Sequence, residues 1–135
     1  MKLTKKITTL FTQDKTTKTS SAIGSISEQY AINYLLQHGL VLVDSNVHCR
    51  QGEIDIIMLE GETYVFIEVK YRKSQAFGGA INAVSPAKQQ KIKHAITFYL
   101  HNAGLNEYNT PCRIDVIALE GNLDKPEVTW LKSAF

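Results

Sequence analysis

The sequence has little cysteine and no long hydrophobic run, and neither sign of charge dominates it. Its two cysteines, Cys49 and Cys112, lack CxxC spacing, which argues against a disulfide-stapled secreted scaffold and gives no zinc or redox motif. No stretch approaches the roughly 18 consecutive apolar residues of a membrane span, and the N-terminus lacks the apolar segment of a signal peptide. We therefore expect a cytoplasmic protein with no membrane partner.

The charge is distributed unevenly along the chain. The net charge is +2, from 15 basic and 13 acidic residues in 135. Residues 1–22 are rich in Lys, Thr and Ser, and we expect a basic, disordered arm that either contacts phosphates loosely or is only solvated. Residues 23–135 have the size of a single domain. Five basic residues and one acid precede Ser20, so the remainder, with 10 basic and 12 acidic residues, is slightly acidic.

Hydrophobic periodicity and turn residues predict two helices and five strands. Apolar residues at helical spacing, followed by Gly39, indicate a helix at 25–38. A second helix at 86–102 starts with the pair Ser85-Pro86. Apolar and β-branched runs predict strands at 40–43, 53–59, 63–70, 113–119 and 128–131. This order predicts an α/β fold with a mixed central β-sheet flanked by helices.

Charged residues on two neighbouring strands form the motif with the most chemical content. It reads Arg50-Gln51-Gly52-Glu53-Ile54-Asp55, then twelve residues, then Glu68-Val69-Lys70. Because side chains alternate along a strand, Glu53 shares a face with Asp55, and Glu68 shares a face with Lys70. A hairpin through Glu60-Gly61-Glu62 would bring Asp55 beside Glu68. We therefore expect two or three carboxylates and an ammonium group in one small area.

Clustered carboxylates beside a lysine suit a metal ion that acts on a phosphodiester. Carboxylates repel one another and are costly to desolvate, so a fold usually keeps them together where a cation binds. Mg²⁺ or Mn²⁺ would take a couple of carboxylates, backbone carbonyls and water. Such an ion activates water, and Lys70 is suited to hold that water or to neutralise developing charge. The alternative is the solvated face of an antiparallel sheet, with Glu68 and Lys70 as a weak exposed pair.

Glu28 bears on the choice between these interpretations. It is in helical register with Ala31, Ile32 and Leu35, which would point it toward the sheet, where a buried acid needs a partner. The segment Ser25-Ile26-Ser27-Glu28 also fits a capping box, in which Glu28 would only bond the helix N-terminus. The local pattern leaves both interpretations open.

Segments spread over residues 23–120 carry a resemblance to a known family. They are Gly24 to Leu35, Asn46 to Asp55, Val65 to Arg72, Phe77-Gly78-Gly79, Lys88, and Arg113 to Val116. Together they resemble the YraN-like family of small bacterial proteins, which is similar to the PD-(D/E)xK, restriction-endonuclease-like nucleases and to archaeal Holliday-junction resolvases. The sequence departs from that pattern at Ser27, where the family usually has Gly, and at His48, where it often has Arg.

The resemblance implies an αβββαβ restriction-endonuclease-like core and a nuclease-like domain at 23–135. It implies Asp55, Glu68 and Lys70 as a catalytic triplet, with Glu28 as the helix acid. The candidate metal ligands are the carboxylates of Asp55, Glu68 and Glu28 and the backbone of Val69. Glu53, on the strand of Asp55, is a candidate accessory acid.

Basic residues around the presumed site are candidates for contact with nucleic acid. Arg50, Arg72 and Lys73 flank it, and the alternative is that they are exposed strand-end bases without a ligand. Lys88 and Gln89 lie near the N-terminus of the second helix, where free backbone N–H groups can bind a phosphate, although a solvated helix face has the same pattern. Gly78-Gly79 lacks the Gly-Lys-Ser/Thr of a phosphate-binding loop and predicts a turn.

These observations leave two functions of different classes. The first is a divalent-metal-dependent endonuclease that acts on DNA, with branched or damaged DNA among its candidate substrates, and that forms a homodimer if paired incisions need two sites. The second is a catalytically silent nucleic-acid-binding or protein-interaction module on the same fold. The intact triplet favours the enzyme, whereas the slightly acidic body favours the module.

Overall fold

The computed structural model describes residues 20–74 and 84–135. The predicted basic arm up to residue 19 and the predicted turn at Gly78-Gly79 lie outside the described residues. Two helices and five strands follow in the predicted order, which confirms the α/β fold class. They are α1 (Ser20–Gln37), β1 (Val41–Cys49), β2 (Gly52–Glu60), β3 (Thr63–Arg72), α2 (Pro86–Asn102), β4 (Cys112–Glu120) and β5 (Glu127–Leu131).

The strands form one mixed sheet in the order β1-β2-β3-β4-β5. Strands β1, β2 and β3 are antiparallel neighbours, as are β4 and β5, whereas β3 and β4 run parallel. A parallel pair needs a long crossover connection, and the segment containing α2 supplies it. The helices and strands through β4 therefore form the predicted αβββαβ core.

The helices cover opposite faces of the sheet. Neighbouring residues of β2 and β3 alternate between two hydrophobic cores, with Ile56 and Ile67 in the first and Ile57 and Phe66 in the second. The first core contains Ala31, Ile32 and Leu35 of α1, and the second contains Ala95 and Leu100 of α2. Neither helix among the described residues is long and apolar enough to cross a membrane.

The helix starts agree with the prediction for α2 and differ for α1. Ser85 caps α2 by accepting a hydrogen bond from the Lys88 N–H at 3.1 Å, and Pro86 follows as predicted. Helix α1 begins at Ser20, five residues before the predicted start and inside the predicted arm. Ser25 therefore lies within the helix, so the capping-box interpretation of Glu28 is wrong.

Strand β1 is longer than predicted because its middle is polar and irregular. The sequence predicts a strand only at 40–43, but β1 extends through Cys49. Its pairing with β2 shifts register between Leu42 and Asp44, and Asn46 has a φ of 52°, a left-handed conformation that Asn adopts more readily than most residues. A bulge and a left-handed residue break the alternation from which a strand is predicted.

Gly52 sets how closely α2 approaches the sheet. A Cβ atom at Gly52 would lie 2.7 Å from the backbone oxygen of Lys91, well inside van der Waals contact. A glycine here lets the start of β2 touch the backbone of α2, which is one of the uses of glycine in close packing. The contact also places the first turns of α2, which carry Lys88, over the ends of β2 and β3.

Candidate active site

Strands β2 and β3 stop pairing at the point where the predicted acids lie. Their backbone register runs from Glu60↔Thr63 to Ile56↔Ile67, and the next residues in sequence are Asp55 and Glu68. There the side chain of Asp55 replaces a backbone partner, because its Oδ2 atom accepts a hydrogen bond from the Val69 N–H at 2.9 Å. The end of the ladder thus opens a place between two strands for a carboxylate.

Glu68 is a buried acid with two lysines as neighbours. It is 3% exposed, and its Oε1 atom lies 3.5 Å from Nζ of Lys70 and 3.7 Å from Nζ of Lys88. Lys70 follows on the same strand, as the sequence predicts, whereas Lys88 reaches the site from α2. These distances are those of loose ion pairs rather than of short charge-assisted hydrogen bonds.

Asp55 and Glu68 carry more negative charge than their surroundings compensate. Burial raises the pKa of Glu68 to about 7, and the adjacent Asp55 adds to the rise against the opposing effect of Lys88 and Lys70. Burial also raises the pKa of Asp55, although the Val69 N–H favours its ionised form. The two carboxyl groups are close enough for each to affect the other's pKa. A cation at this point would compensate their negative charge.

Glu28 faces the same pair from α1. Burial raises the pKa of Glu28 to about 7, and the charges of Asp55, Glu53 and Glu68 raise it further. The side chain of Asn46 opposes this rise through a hydrogen bond to Glu28. Because α1 has no capping box at Ser25, the other interpretation of Glu28 applies, in which this acid is directed toward the sheet.

The donor set fits a hard divalent cation that keeps much of its water. Among residues 20–74 and 84–135, no three His, Cys, Asp or Glu side chains are arranged to hold a metal ion by themselves. The carboxylates of Asp55 and Glu68 remain as candidate ligands, beside the backbone of Val69. Mg²⁺ is commonly held by one or two carboxylates, with water and substrate phosphate completing its coordination, and this arrangement needs no third side chain. Glu28 is therefore better placed to bind a water molecule of the ion's hydration shell than to bind the ion directly.

The predicted nucleic-acid contacts fall into two groups. Arg50, Arg72 and Lys73 are exposed and free to contact phosphates, which stays a prediction. At the start of α2, the Lys88 N–H is bonded to the Ser85 cap, and the side-chain amide of Gln89 donates to the Val84 carbonyl at 3.3 Å. Because the backbone N–H groups of Lys88 and Gln89 are both bonded to Ser85, a phosphate here would meet their side chains rather than free backbone N–H groups.

An open groove leads away from the carboxylates between the β1–β2 turn and α2. It has a volume of about 370 Å³ and is lined by His48, Arg50, Gln51, Glu53, Lys88 and Lys91, among others. Glu53, the predicted accessory acid, is half-exposed there and lies 3.1 Å from Nδ1 of His48. Apart from Glu53, the charged residues of the lining are Arg50, Lys88 and Lys91, which are all basic.

Sequence reasoning missed Asn46 and the exact role of Lys88. Asn46 lies in the segment that carries the family resemblance. Its effect on the pKa of Glu28 depends on a left-handed backbone and on a partner 18 residues away, and no local pattern indicates either. Lys88 was considered only for phosphate contact, because the approach of α2 to Glu68 depends on the sheet. The departure at Ser27 needs no compensation, since its buried hydroxyl donates to the Ile23 carbonyl at 2.7 Å.

A second buried acid lies elsewhere in the sheet and is fully paired. Asp115 pairs with Arg113 on the same strand, with Nε of Arg113 3.1 and 3.2 Å from the two oxygens of Asp115. Asp115 also accepts hydrogen bonds from the indole N–H of Trp130 and the backbone N–H of Ser133, both at 2.9 Å. Arg113 in turn bonds Glu60 at 2.6 Å. This cluster ties β2, β4 and β5 together.

Comparisons with known proteins agree on one family. The model of the family described as "Uncharacterised protein family UPF0102" matches residues 27–119, which include Glu28, Asp55, Glu68 and Lys70. A UPF0102 protein of Colwellia psychrerythraea is 65% identical over 112 residues, covering 83% of this chain and 87% of the relative. UPF0102 proteins of Nitrosococcus oceani and Legionella pneumophila strain Corby are 44% and 46% identical, covering 83% of this chain and 90% and 92% of theirs.

Proposed function

The chain belongs to the UPF0102 (YraN-like) family, and from this premise we propose that it is a divalent-metal-dependent nuclease that hydrolyses DNA phosphodiester bonds. One observation supports the proposal most. Asp55 and Glu68 lie side by side where two strands separate, burial raises the pKa of both carboxyl groups, and Nζ of Lys70 lies 3.5 Å from Glu68. A fold gains little stability from such an arrangement unless a ligand resolves it.

The residues that would hold Mg²⁺ or Mn²⁺ are Asp55, Glu68 and the backbone carbonyl of Val69, with Glu28 acting through water. When bound, such an ion supplies an activated water and stabilises negative charge in phosphoryl transfer. The Val69 N–H fixes the orientation of the Asp55 carboxylate through its 2.9 Å hydrogen bond. Asn46, bonded to Glu28, holds the helix acid toward the same point.

The two lysines supply the positive charge that a phosphate needs. Lys70 keeps part of its side chain exposed, at 25%, and Lys88 does so at 32%, so both can reach a phosphate oxygen. Lys70 is the candidate for stabilising the charge that develops in the transition state, a contribution typically worth about 10²–10³-fold in rate. Lys88 neutralises Glu68 before the substrate binds and can then move to a phosphate. Arg50 and Lys91 extend positive charge along the groove.

The first prediction tests the activity itself. Purified protein with Mn²⁺ or Mg²⁺ should cut at least one of a panel of single-stranded, duplex, flapped and four-way-junction DNAs, and EDTA should stop the reaction. Lys70→Ala should lower the cleavage rate by at least about 100-fold while DNA binding persists. The matched control is Lys125→Ala, which removes an exposed positive charge in the β4–β5 connection and should leave the rate unchanged.

Two outcomes would contradict the proposal. If protein in excess cuts none of these DNAs, yet binds them with an ordinary salt dependence from phosphate contacts, the chain is a silent binding module. If Lys70→Ala and Asp55→Asn preparations cut as well as the unaltered protein, the activity belongs to a contaminant and the site assignment fails.

A further inference from the structure

A second, larger groove continues along α2 from the one beside the carboxylates. It has a volume of about 1010 Å³ and lies between the second half of α2 and the loop that follows it. Gln51, at the β1–β2 turn, lines both grooves, so one can be followed into the other. Lys88 and Phe98 lie ten residues apart on α2, about 15 Å along its axis, which is roughly the length of four nucleotides of a stacked strand.

The polar side chains along this groove include donors that suit a phosphate backbone. They are Lys93 and the amides of Gln51 and Gln90. Among the described lining residues Glu107 is the one acid, and its carboxylate accepts a hydrogen bond from the Thr97 hydroxyl at 3.3 Å. Lys93 and the two amides therefore offer hydrogen-bond donors to the backbone of a nucleic-acid strand.

Two exposed aromatic side chains stand at the far end of the groove. Tyr108 is 88% exposed and Phe98 is 44% exposed, and both line it. Their positions are fixed by local structure, because the side chain of Asn106 accepts the Tyr108 N–H at 2.8 Å and the Thr97–Glu107 bond ties the loop to α2. Exposed aromatic rings are what single-stranded nucleic-acid sites use to stack bases, and Lys93 lines the same groove.

We infer that this groove binds an unpaired strand of the substrate, and that the carboxylate site therefore acts where single-stranded and duplex nucleic acid meet. The inference rests on the proposed nuclease function and names its substrate class. The faces of bases within a duplex are covered by the neighbouring bases and cannot stack on a side chain, whereas an unpaired base exposes its face. Tyr108 and Phe98 would stack such bases, while Lys93 and the amides of Gln51 and Gln90 contact the backbone.

The second prediction tests this groove by binding, without any need for cleavage. The test uses fluorescently labelled duplexes with blunt ends or with an unpaired extension. Extensions of about two and about six nucleotides are shorter and longer than the groove. In EDTA buffer, anisotropy should show that the longest extension binds most tightly. Tyr108→Ala should weaken that complex by at least about fivefold and leave the blunt duplex unchanged. Tyr108→Phe keeps the ring and should bind like the unaltered protein.

A direct signal of stacking separates this role from a general effect on the surface. 2-Aminopurine in the unpaired extension should lose fluorescence on binding to the unaltered protein and to Tyr108→Phe, but not to Tyr108→Ala. Urea unfolding midpoints check that the variants fold alike, and Phe98→Ala provides an independent second position. If Tyr108→Ala loses affinity equally for blunt and extended DNA, or loses affinity for neither, the inference is overturned. No loss of affinity for either DNA would indicate that the groove binds a protein partner instead. A protein that cuts no DNA would refute the proposed function while these binding results still decide the groove.

Discussion

Asp115 and Glu68 are adjacent in the register of the parallel pair β3–β4, where Ile67 pairs with Asp115 and Glu68 pairs with Val116. Both side chains are buried, with residue exposures of 0% and 3%. Asp115 receives hydrogen bonds from Arg113, Trp130 and the backbone of Ser133. Among residues 20–74 and 84–135, the charged neighbours of Glu68 include two lysines, at 3.5 and 3.7 Å, and the acid Asp55.

The two clusters differ in their hydrogen-bond donors, and this difference moves the pKa values of their acids in opposite directions. On the Arg113 side, a hydrogen bond from Arg113 lowers the pKa of the partner acid Glu60. On the other side, burial and a neighbouring acid raise the pKa of Glu68 to about 7. A buried acid with its donors complete joins strands together, whereas one that lacks them is costly to keep and therefore indicates a ligand.

The third prediction sets the same substitution in the two clusters and has the largest expected effect on stability. Asp115→Asn removes one of the two charges that compensate the partly buried Arg113 and replaces an oxygen that accepts hydrogen bonds with an NH₂ group, so it should lower the free energy of unfolding by about 3 kcal/mol. Asp55→Asn keeps an oxygen to accept the Val69 N–H and relieves repulsion, so in metal-free buffer it should be neutral or stabilising. Urea unfolding at pH 8 measures both changes. Comparable losses from the two variants would mean that both clusters are structural.

Local sequence patterns were sufficient for most of the fold. Element order, the hairpin at Gly61 and the full length of α2 follow from periodicity, turn residues and a Ser-Pro start. The failures lie where tertiary contacts replace local signals. Helix α1 begins at Ser20 in a polar segment where several Ser and Thr residues give equivalent cap signals. Strand β1 continues through a bulge and the left-handed Asn46 because β2 supplies its hydrogen bonds.

The site was predictable as a set of residues and less so as an arrangement. The alternation of strands and the hairpin put Asp55 beside Glu68, and the structure confirms this neighbourhood. The contact of Lys88 with Glu68 depends on Gly52, which lets α2 approach the sheet. The separation of β2 from β3 at Asp55, and the hydrogen bond of Asn46 to Glu28, involve backbone geometry that residue types do not encode.

The fourth prediction uses pH to separate the two clusters. Glu28 and Glu68 have pKa values of about 7 in the folded protein, against 4.5 for an ordinary glutamate. Their protonated forms favour the fold, so this stability is complete below about pH 4.5 and is lost as the pH rises through 7. Metal-free protein should therefore lose about 1–3 kcal/mol of unfolding free energy between pH 5 and pH 8, a range that allows for the partial exposure of Glu28.

The groups around these acids set the controls for that experiment. Glu28 faces Asp55, Glu53 and Glu68, and Glu68 also faces Lys70 and Lys88. Glu68→Gln should flatten the dependence between pH 5 and pH 8, because it removes one titrating acid and one repelling charge. Glu60, with a lowered pKa, stabilises the fold above its ordinary pKa and loses that effect only at more acidic pH. A profile that rises from pH 5 to pH 8 would contradict the assignment of excess acid to this site.

The fifth prediction concerns the Mg²⁺ or Mn²⁺ ion proposed for the Asp55–Glu68 cluster, and it has the smallest expected effect. An ion that binds only the folded protein stabilises it by mass action, by about 1.4 kcal/mol at ten times its dissociation constant. Mg²⁺ or Mn²⁺ should therefore raise the melting temperature at pH 8, and less so at pH 5, where protons occupy the acids. Asp55→Asn should abolish this rise. The exposed acid Asp124 provides the matched control, because Asp124→Asn also removes one carboxylate but should keep the full rise. If both variants respond to Mg²⁺ like the unaltered protein, the stabilisation comes from general screening, and the paired carboxylates have no ion to explain them.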